Sequence, residues 1–302
     1  MRLEVRDLKK SFGEHEVLGG VNFAVESGNS LGLLGRNGAG KTTTIRIIMD
    51  VFAADGGEVL LDGKPFRRGD YRIGYLPEER GLYPKRLILE QLVYLATLRG
   101  LTPADAKANA LRWMGRMGLM DYVNKKVDTL SKGNQQKIQL AAAMLNDPEI
   151  LILDEPFSGL DPVNAKLLKV IVRETIAEGK IVLFSSHQMN YVEEFCENIA
   201  VLNHGEIVLN TSIAEHKRTY DRRHLVLDLP GEDARRQAVG YLTGKGLRAE
   251  EERGGVHLYV PDVKDILPVL TGMSEAGVPV EGYRVFEPTL EDIFVEYTSK
   301  AV

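Results

Sequence analysis

Apolar and charged residues alternate through the first sixty positions in short β-like stretches such as LEVRDL (3–8) and EVLLDG (58–63). Gly-rich turns interrupt them, and one helical run covers 42–50. A strand, a glycine loop and a helix in that order predict an α/β core. From about 87 to 145 the periodicity turns helical, turn signals fall at 100–103 and β-branched residues thin out, which predicts a helical insertion. The α/β pattern resumes at PEILILD (148–154) with an apolar strand. A helix over 162–177, the strand IVLFSS (181–186), a helix over 191–196 and the strand pair in IAVLNHGEIVLN (199–210) follow.

The remainder reads as strand HLVLDL, a helix over 232–242, strands near 247 and at GVHLYVP, a helix over 263–276 and strand VEGYRVF. That β-α-β-β-α-β order predicts a ferredoxin-like α+β domain. The chain is therefore expected to divide into a first domain over 1–215 and an accessory domain over 222–302. The polar, basic run HKRTYDRRH (216–224) serves as linker or as a solvated turn.

Composition narrows the function classes. The chain has 302 residues, enough for one large or two ordinary domains, and its 44% hydrophobic content supplies a core. Its 38 basic and 43 acidic residues are interspersed and leave a net charge of -5. No concentrated basic face is expected, so nucleic acid is not the expected partner. The single cysteine, Cys196, cannot form an internal disulfide. The first residues, MRLEVRDLKKSF, lack the apolar segment of a secretory signal and read as mature structure. The most apolar runs, 150–153 and 181–184, are far below the roughly 18 residues that span a bilayer, so the chain is not expected to form a membrane pathway by itself.

Residues 35–42 read GRNGAGKT, fitting G-x-x-x-x-G-K-[ST], between the apolar strand LGLLG and a helix beginning in TTTIRII. Gly35, Gly38 and Gly40 let the backbone curl so that N–H groups face a common centre, and the helix N-terminus adds partial positive charge. With Asn37 and Thr43 they form a nucleotide-phosphate cradle, in which Lys41 reaches the β- and γ-phosphates and the Thr42 hydroxyl ligates Mg²⁺. A plain Gly-rich turn has no use for Lys-Thr in this register. Asp154 and Glu155 end the strand ILIL. Alone, such a pair is often just a polar strand terminus; beside a phosphate loop, Asp154 suits the Mg²⁺ shell and Glu155 suits a general base acting on water.

LSKGNQQK (130–137) precedes ILILDEP, and FSGLDP (157–162) and SSH (185–187) follow it. Over about 1–215 this succession resembles the ATP-binding cassette (ABC) family: a signature, an acidic strand end, a D-loop and a switch histidine. The resemblance implies a P-loop NTPase, RecA-like α/β core with the helical insertion at 87–145, ATP and Mg²⁺ as ligands, and a homodimer sandwiching ATP. In it Ser131 and Gly133 would contact the partner's γ-phosphate, and His187 would contact the same phosphate. Asp161 would lie at the seam, and Phe12, which as an aromatic at a strand end could equally be core, would stack on adenine. Two departures stand out. Lys132 and Asn134 replace the usual Gly and Gln, and Glu78 in GYLPEERGLYP replaces the usual Gln; a carboxylate can ligate Mg²⁺ but cannot donate as an amide does. Both variants, with PTLEDIFVEYT at 288–298, are similar to sodium-efflux and multidrug-export ATPases.

The resemblance implies an ATPase subunit, on the cytoplasmic face of the cell membrane, that energises an exporter through a separately encoded permease. The alternative is a soluble cassette protein of translation or DNA repair; such proteins usually carry two cassettes or a long coiled coil, and neither pattern is present. In a third reading, compatible with the first, the accessory domain senses a ligand or dimerises. The transported substrate is not written in this chain.

Overall fold

The computed structural model describes residues 1–79, 81–158, 160–252 and 254–299. Two compact units arise, 1–213 with 290–302, and 214–289. In the first, β1 (Arg2–Phe12) and β2 (His15–Glu26) form an antiparallel ribbon. The charged positions that alternate along β1 face outward, and Leu3, Val5 and Leu8 are buried. A bulge between Val5 and Leu8, with Asp7 at φ 46°, keeps Leu8 inward. β3 (Ser30–Leu34) runs wholly buried into a loop and α1 (Lys41–Ile48). β4 (Gly56–Leu61) pairs with β1, and β5 (Lys64–Pro65) with β4.

β6 (Ile73–Leu76) precedes the helical stretch of α2 (Ile88–Leu98), α3 (Pro103–Arg116) and α4 (Lys132–Met144). Thr102 caps α3 with Pro103 in its first turn, and Ser131 caps α4 by accepting the Asn134 N–H. Then come β7 (Ile150–Asp154), α5 (Pro162–Ala177), β8 (Ile181–Ser186), α6 (Met189–Phe195), β9 (Asn198–Asn203) and β10 (Glu206–Ser212). The main sheet has the order β10-β9-β3-β8-β7-β6, with β9, β3, β8, β7 and β6 parallel. Their near-continuous apolar runs match strands covered on both faces. One apolar cluster joins the sheet to α2–α6 and another joins it to α1 and the β1–β2 ribbon. No helix among the described residues is long and apolar enough to cross a membrane.

The second unit contains α7 (Ile213–Thr219) from Ala214 on, β11 (His224–Asp228), α8 (Gly231–Gly244), β12 (Arg248–Glu252), β13 (Gly255–Tyr259), α9 (Ile266–Glu275) and β14 (Gly282–Val285). Its antiparallel sheet has the order β12-β13-β11-β14, the split β-α-β-β-α-β arrangement. Leu225, Leu227, Val256 and Leu258 pack with Ala238, Leu242 and Met273.

Two boundaries differ from the sequence reading. His216–Thr219 lie in α7, where basic residues in the last turn suit the helix dipole, and His224 is buried in β11, so HKRTYDRRH is not a free linker. The accessory unit also ends at Thr289 and not at 302. α10 (Leu290–Ser299) belongs to the first unit because Leu290 and Ile293 bury themselves against α6, β9 and β10. The Leu290 N–H also donates to Glu193 Oε2 at 3.3 Å.

Candidate functional site

β3, β8 and β7 are neighbours, so the loop after β3, the serines ending β8 and the acids ending β7 emerge together at the carboxyl end of the sheet. In the loop, Gly38 (φ 81°) and Gly40 (φ 109°) take left-handed conformations. A Cβ on Gly35 would lie 2.6 Å from the Leu202 carbonyl oxygen, and one on Gly40 would lie 2.6 Å from Leu18. Arg36, Asn37 and Gly38 form the exposed rim, and Thr42 and Thr43 are half-buried at the start of α1. The first N–H groups of α1 have no partner within the helix, which prepares the loop for an anion.

Lys41 is 7% exposed and bends back over its own loop, donating from Nζ to Gly35 O at 2.7 Å and Arg36 O at 3.3 Å. Burial lowers its pKa, against the raising influence of Glu155, Asp154 and Glu78. Nζ is also 4.0 Å from Glu155 Oε1. Asp154, opposite Ser185 in the β7–β8 register, accepts the Ser185 hydroxyl at Oδ1. Burial raises its pKa, while the Ser185 and Thr42 hydroxyls and Lys41 act the other way. Its Oδ2 is buried without a hydrogen-bond partner.

Glu155 sits at φ 49°, a conformation that carries strain for a residue with a Cβ. Its N–H donates to Ser185 O at 3.0 Å, which fixes the turn. Oε2 accepts the Ser186 hydroxyl at 3.2 Å and lies 2.9 Å from His187 Nδ1. Oε1 is buried without a hydrogen-bond partner and faces only the Lys41 ammonium. Phe157, stacked on Tyr191 at 4.0 Å between centroids, anchors the chain just beyond.

Lys41, Asp154, Glu155 and His187 are thus brought together. Glu78 is exposed two residues after β6, whose Leu76 pairs with Leu153 of β7, and its charge reaches Lys41. Phe12 is not core: it is 46% exposed and meets Phe52 edge-on at 5.4 Å. No hydrogen bond among the described residues joins Ser131 or Gly133 to the loop; Ser131 caps α4, and Gly133 packs on Asn164. Asp161 caps α5. Gly159 of FSGLDP lies outside the described residues.

Sequence reasoning missed Ser185 and Ser186 as partners of the two acids. Two hydroxyls ending the apolar strand IVLF were the available signal. Asp154 Oδ2, buried without a hydrogen-bond partner, and the Thr42 hydroxyl beside it are oxygen donors suited to a hard cation. No group of three or more His, Cys, Asp or Glu residues that could hold a metal occurs among the described residues.

Residues 18–158 match the sequence family described as ABC transporter. Over 297 residues the chain is 41% identical to an uncharacterized ABC transporter ATP-binding protein of Bacillus subtilis, covering 97% of each. It is 35% identical to the Nod factor export ATP-binding protein I of Paraburkholderia xenovorans, over 67% of this chain and 68% of that protein. A solved ATP-binding subunit of an ABC transporter superposes with a TM-score of 0.67 at 29% identity, covering 73% of this chain and 93% of that one. A dimeric ATP-binding cassette in a post-hydrolysis state with ADP and Pi gives 0.63 at 25% identity, over 70% and 98%.

Proposed function

This chain belongs to the ABC transporter family as an ATP-binding, ATP-hydrolysing cassette subunit, and from that premise we propose that it drives export through a separately encoded permease, as a homodimer closing over two MgATP. The observation that carries the proposal is the pair of buried carboxylate oxygens on Asp154 and Glu155 that lack a hydrogen bond, beside a phosphate loop with Lys41 already folded into it. A buried acceptor left without a hydrogen bond, as Asp154 Oδ2 is, costs on the order of 1–3 kcal/mol, a cost that a ligand removes.

In this reading Gly35 to Thr43 cradle the phosphates, and Lys41 leaves the Gly35 and Arg36 carbonyls for the β- and γ-phosphates. Thr42, Asp154 and Glu78 would hold Mg²⁺, which would supply positive charge to offset that of the phosphates. Glu155 takes the proton of the attacking water, and Lys41 moving to phosphate frees Oε1 for that task. His187, held beside Glu155 through Nδ1, serves as the switch residue at the γ-phosphate, and Phe12 offers an exposed face to adenine. Ser131 and Gly133 serve the partner's nucleotide, as an N-cap hydroxyl and helix-start N–H groups suit an anion. The export relative supports the direction of transport and the dimeric cassette supports the assembly.

The test is Ser131→Arg, which puts a bulky cation where a hydroxyl must approach the partner's phosphate. ATP binding by the monomer should persist while ATP-dependent dimerisation, followed by sedimentation, and hydrolysis are lost. Unimpaired dimerisation with full turnover overturns the shared site. For the membrane half, purifying the tagged chain from native membranes should recover a polytopic membrane protein in stoichiometric amount. Recovery from the soluble fraction alone overturns it.

A further inference from the structure

The starts of α4 and α5 are joined by one side chain. Asn164 is 9% exposed, and its backbone N–H donates to Asp161 Oδ1 at 2.9 Å while its Nδ2 donates to Asp161 Oδ2 at 2.6 Å. An N-cap needs only one carboxylate oxygen, and here the second is also occupied. The same Nδ2 lies against Gly133, where an added Cβ would stand 2.4 Å from it and 3.5 Å from Asp161 Oδ2. One turn further along α4, Gln136 Nε2 donates to the carbonyl of Pro156, the residue after Glu155, at 3.3 Å. The turn bearing Ser131 is therefore braced against the start of α5 and against the segment that leaves the catalytic strand.

We propose that Asn164 is a positioning residue: its amide clamps Gly133 and the Asp161 carboxylate into one rigid face presented to the partner cassette. The inference rests on the shared-site reading above. Contacts to a phosphate demand placement within a fraction of an ångström, and a displacement of about 1 Å at such a site can cost on the order of 10²-fold. The amide donates to Asp161 and stays neutral beside it. An aspartate would set two carboxylates against each other, and an alanine would leave Asp161 Oδ2 without its donor and Gly133 without its stop.

The experiment compares the full chain with Asn164→Ala, Asn164→Asp and Asn164→Ser, and with Ser131→Arg as reference. Three readouts are taken: melting temperature, binding of a fluorescent ATP analogue by the monomer, and the ATP-dependent monomer–dimer constant by sedimentation. Asn164→Ala should bind nucleotide as the wild type does yet dimerise about tenfold or more weakly, the lower part of the range that misplacement produces. Asn164→Asp should be worse and Asn164→Ser, which keeps a donor, should recover part of the loss. A merely structural role would lower the melting temperature and leave the dimer constant of the folded protein unchanged, which overturns the inference. If Ser131→Arg dimerises normally, the shared site and this inference fall together. If it cannot dimerise while Asn164→Ala can, this inference alone falls. Should Asn164→Ala not fold, Asn164→Ser decides: a weaker dimer supports the clamp, and an unchanged one overturns it.

Discussion

The sheet edge of the first unit and the sheet of the second both bury titratable side chains, with opposite outcomes. At the edge, Asp154 and Glu155 each keep one buried oxygen without a hydrogen bond, and Lys41 is held by carbonyls of its own loop. In the second unit His224 Nε2 meets His257 Nδ1 at 2.9 Å, and the His224 ring stacks on Tyr259 and Phe286 at 4.1 and 4.2 Å. One cluster leaves its hydrogen-bonding capacity open at the carboxyl ends of parallel strands; the other spends it on itself. Burial alone does not mark a site, and unsatisfied burial at a ligand-facing edge does.

That contrast makes substitutions in the two regions act on different quantities. The largest effect should come from Glu155→Gln, which keeps shape and removes the base: hydrolysis should fall about 10²–10⁴-fold while ATP binding persists and the nucleotide-bound dimer accumulates. Its melting temperature should hold or rise, since a buried charge is removed. Near-wild-type turnover in a preparation free of contaminating ATPase would sink the role assigned to Glu155.

Acid should act on the second unit through stability. Burial, aided by His257, lowers the His224 pKa from the ordinary 6.5 to about 4. The unfolded chain therefore binds more protons between those values, so the contribution is full above pH 6.5, is lost as pH falls through that window, and is gone below 4. The loss amounts to about 3 kcal/mol at most. Hydrogen exchange of the β11 and β13 amides, corrected for intrinsic rate, should rise across that range, and His224→Phe should abolish the dependence. A flat profile in the wild type refutes the assignment.

Lys41→Ala should give the smallest change, weakening MgATP binding by about 1.5–3 kcal/mol, the worth of a hydrogen bond to a charged group. Calorimetric titration measures it. Affinity unchanged within error in a folded protein means that the cradle is somewhere else, and the contrast between the regions then loses its first half.

Much of this was legible from local pattern. The loop at 35–42, the acid-ended strand ILILDE and the order of elements in the second unit all follow from short-range periodicity. The pairing of Asp154 with Ser185 was not, because it depends on β8 lying between β3 and β7, a neighbour relation that no local window contains. The contact of Gly133 with Asn164 likewise joins two helix starts through tertiary packing. The basic run 216–224 was misjudged, since it ends in a buried histidine, and Phe12 was left open between core and exposed face, because single residues at strand ends carry no period.

Because α10 completes the first unit from beyond the second, the two units cannot finish in the order in which they are written. A ribosome adding about 5–20 residues per second needs several seconds to make 214–289 before Leu290 emerges, and until then α6, β9 and β10 lack their covering helix. Newly made first units therefore pass through an interval with an uncovered apolar strip. A premature stop anywhere in the second unit would make that interval permanent, turning a nominally peripheral truncation into a lesion of the ATPase body.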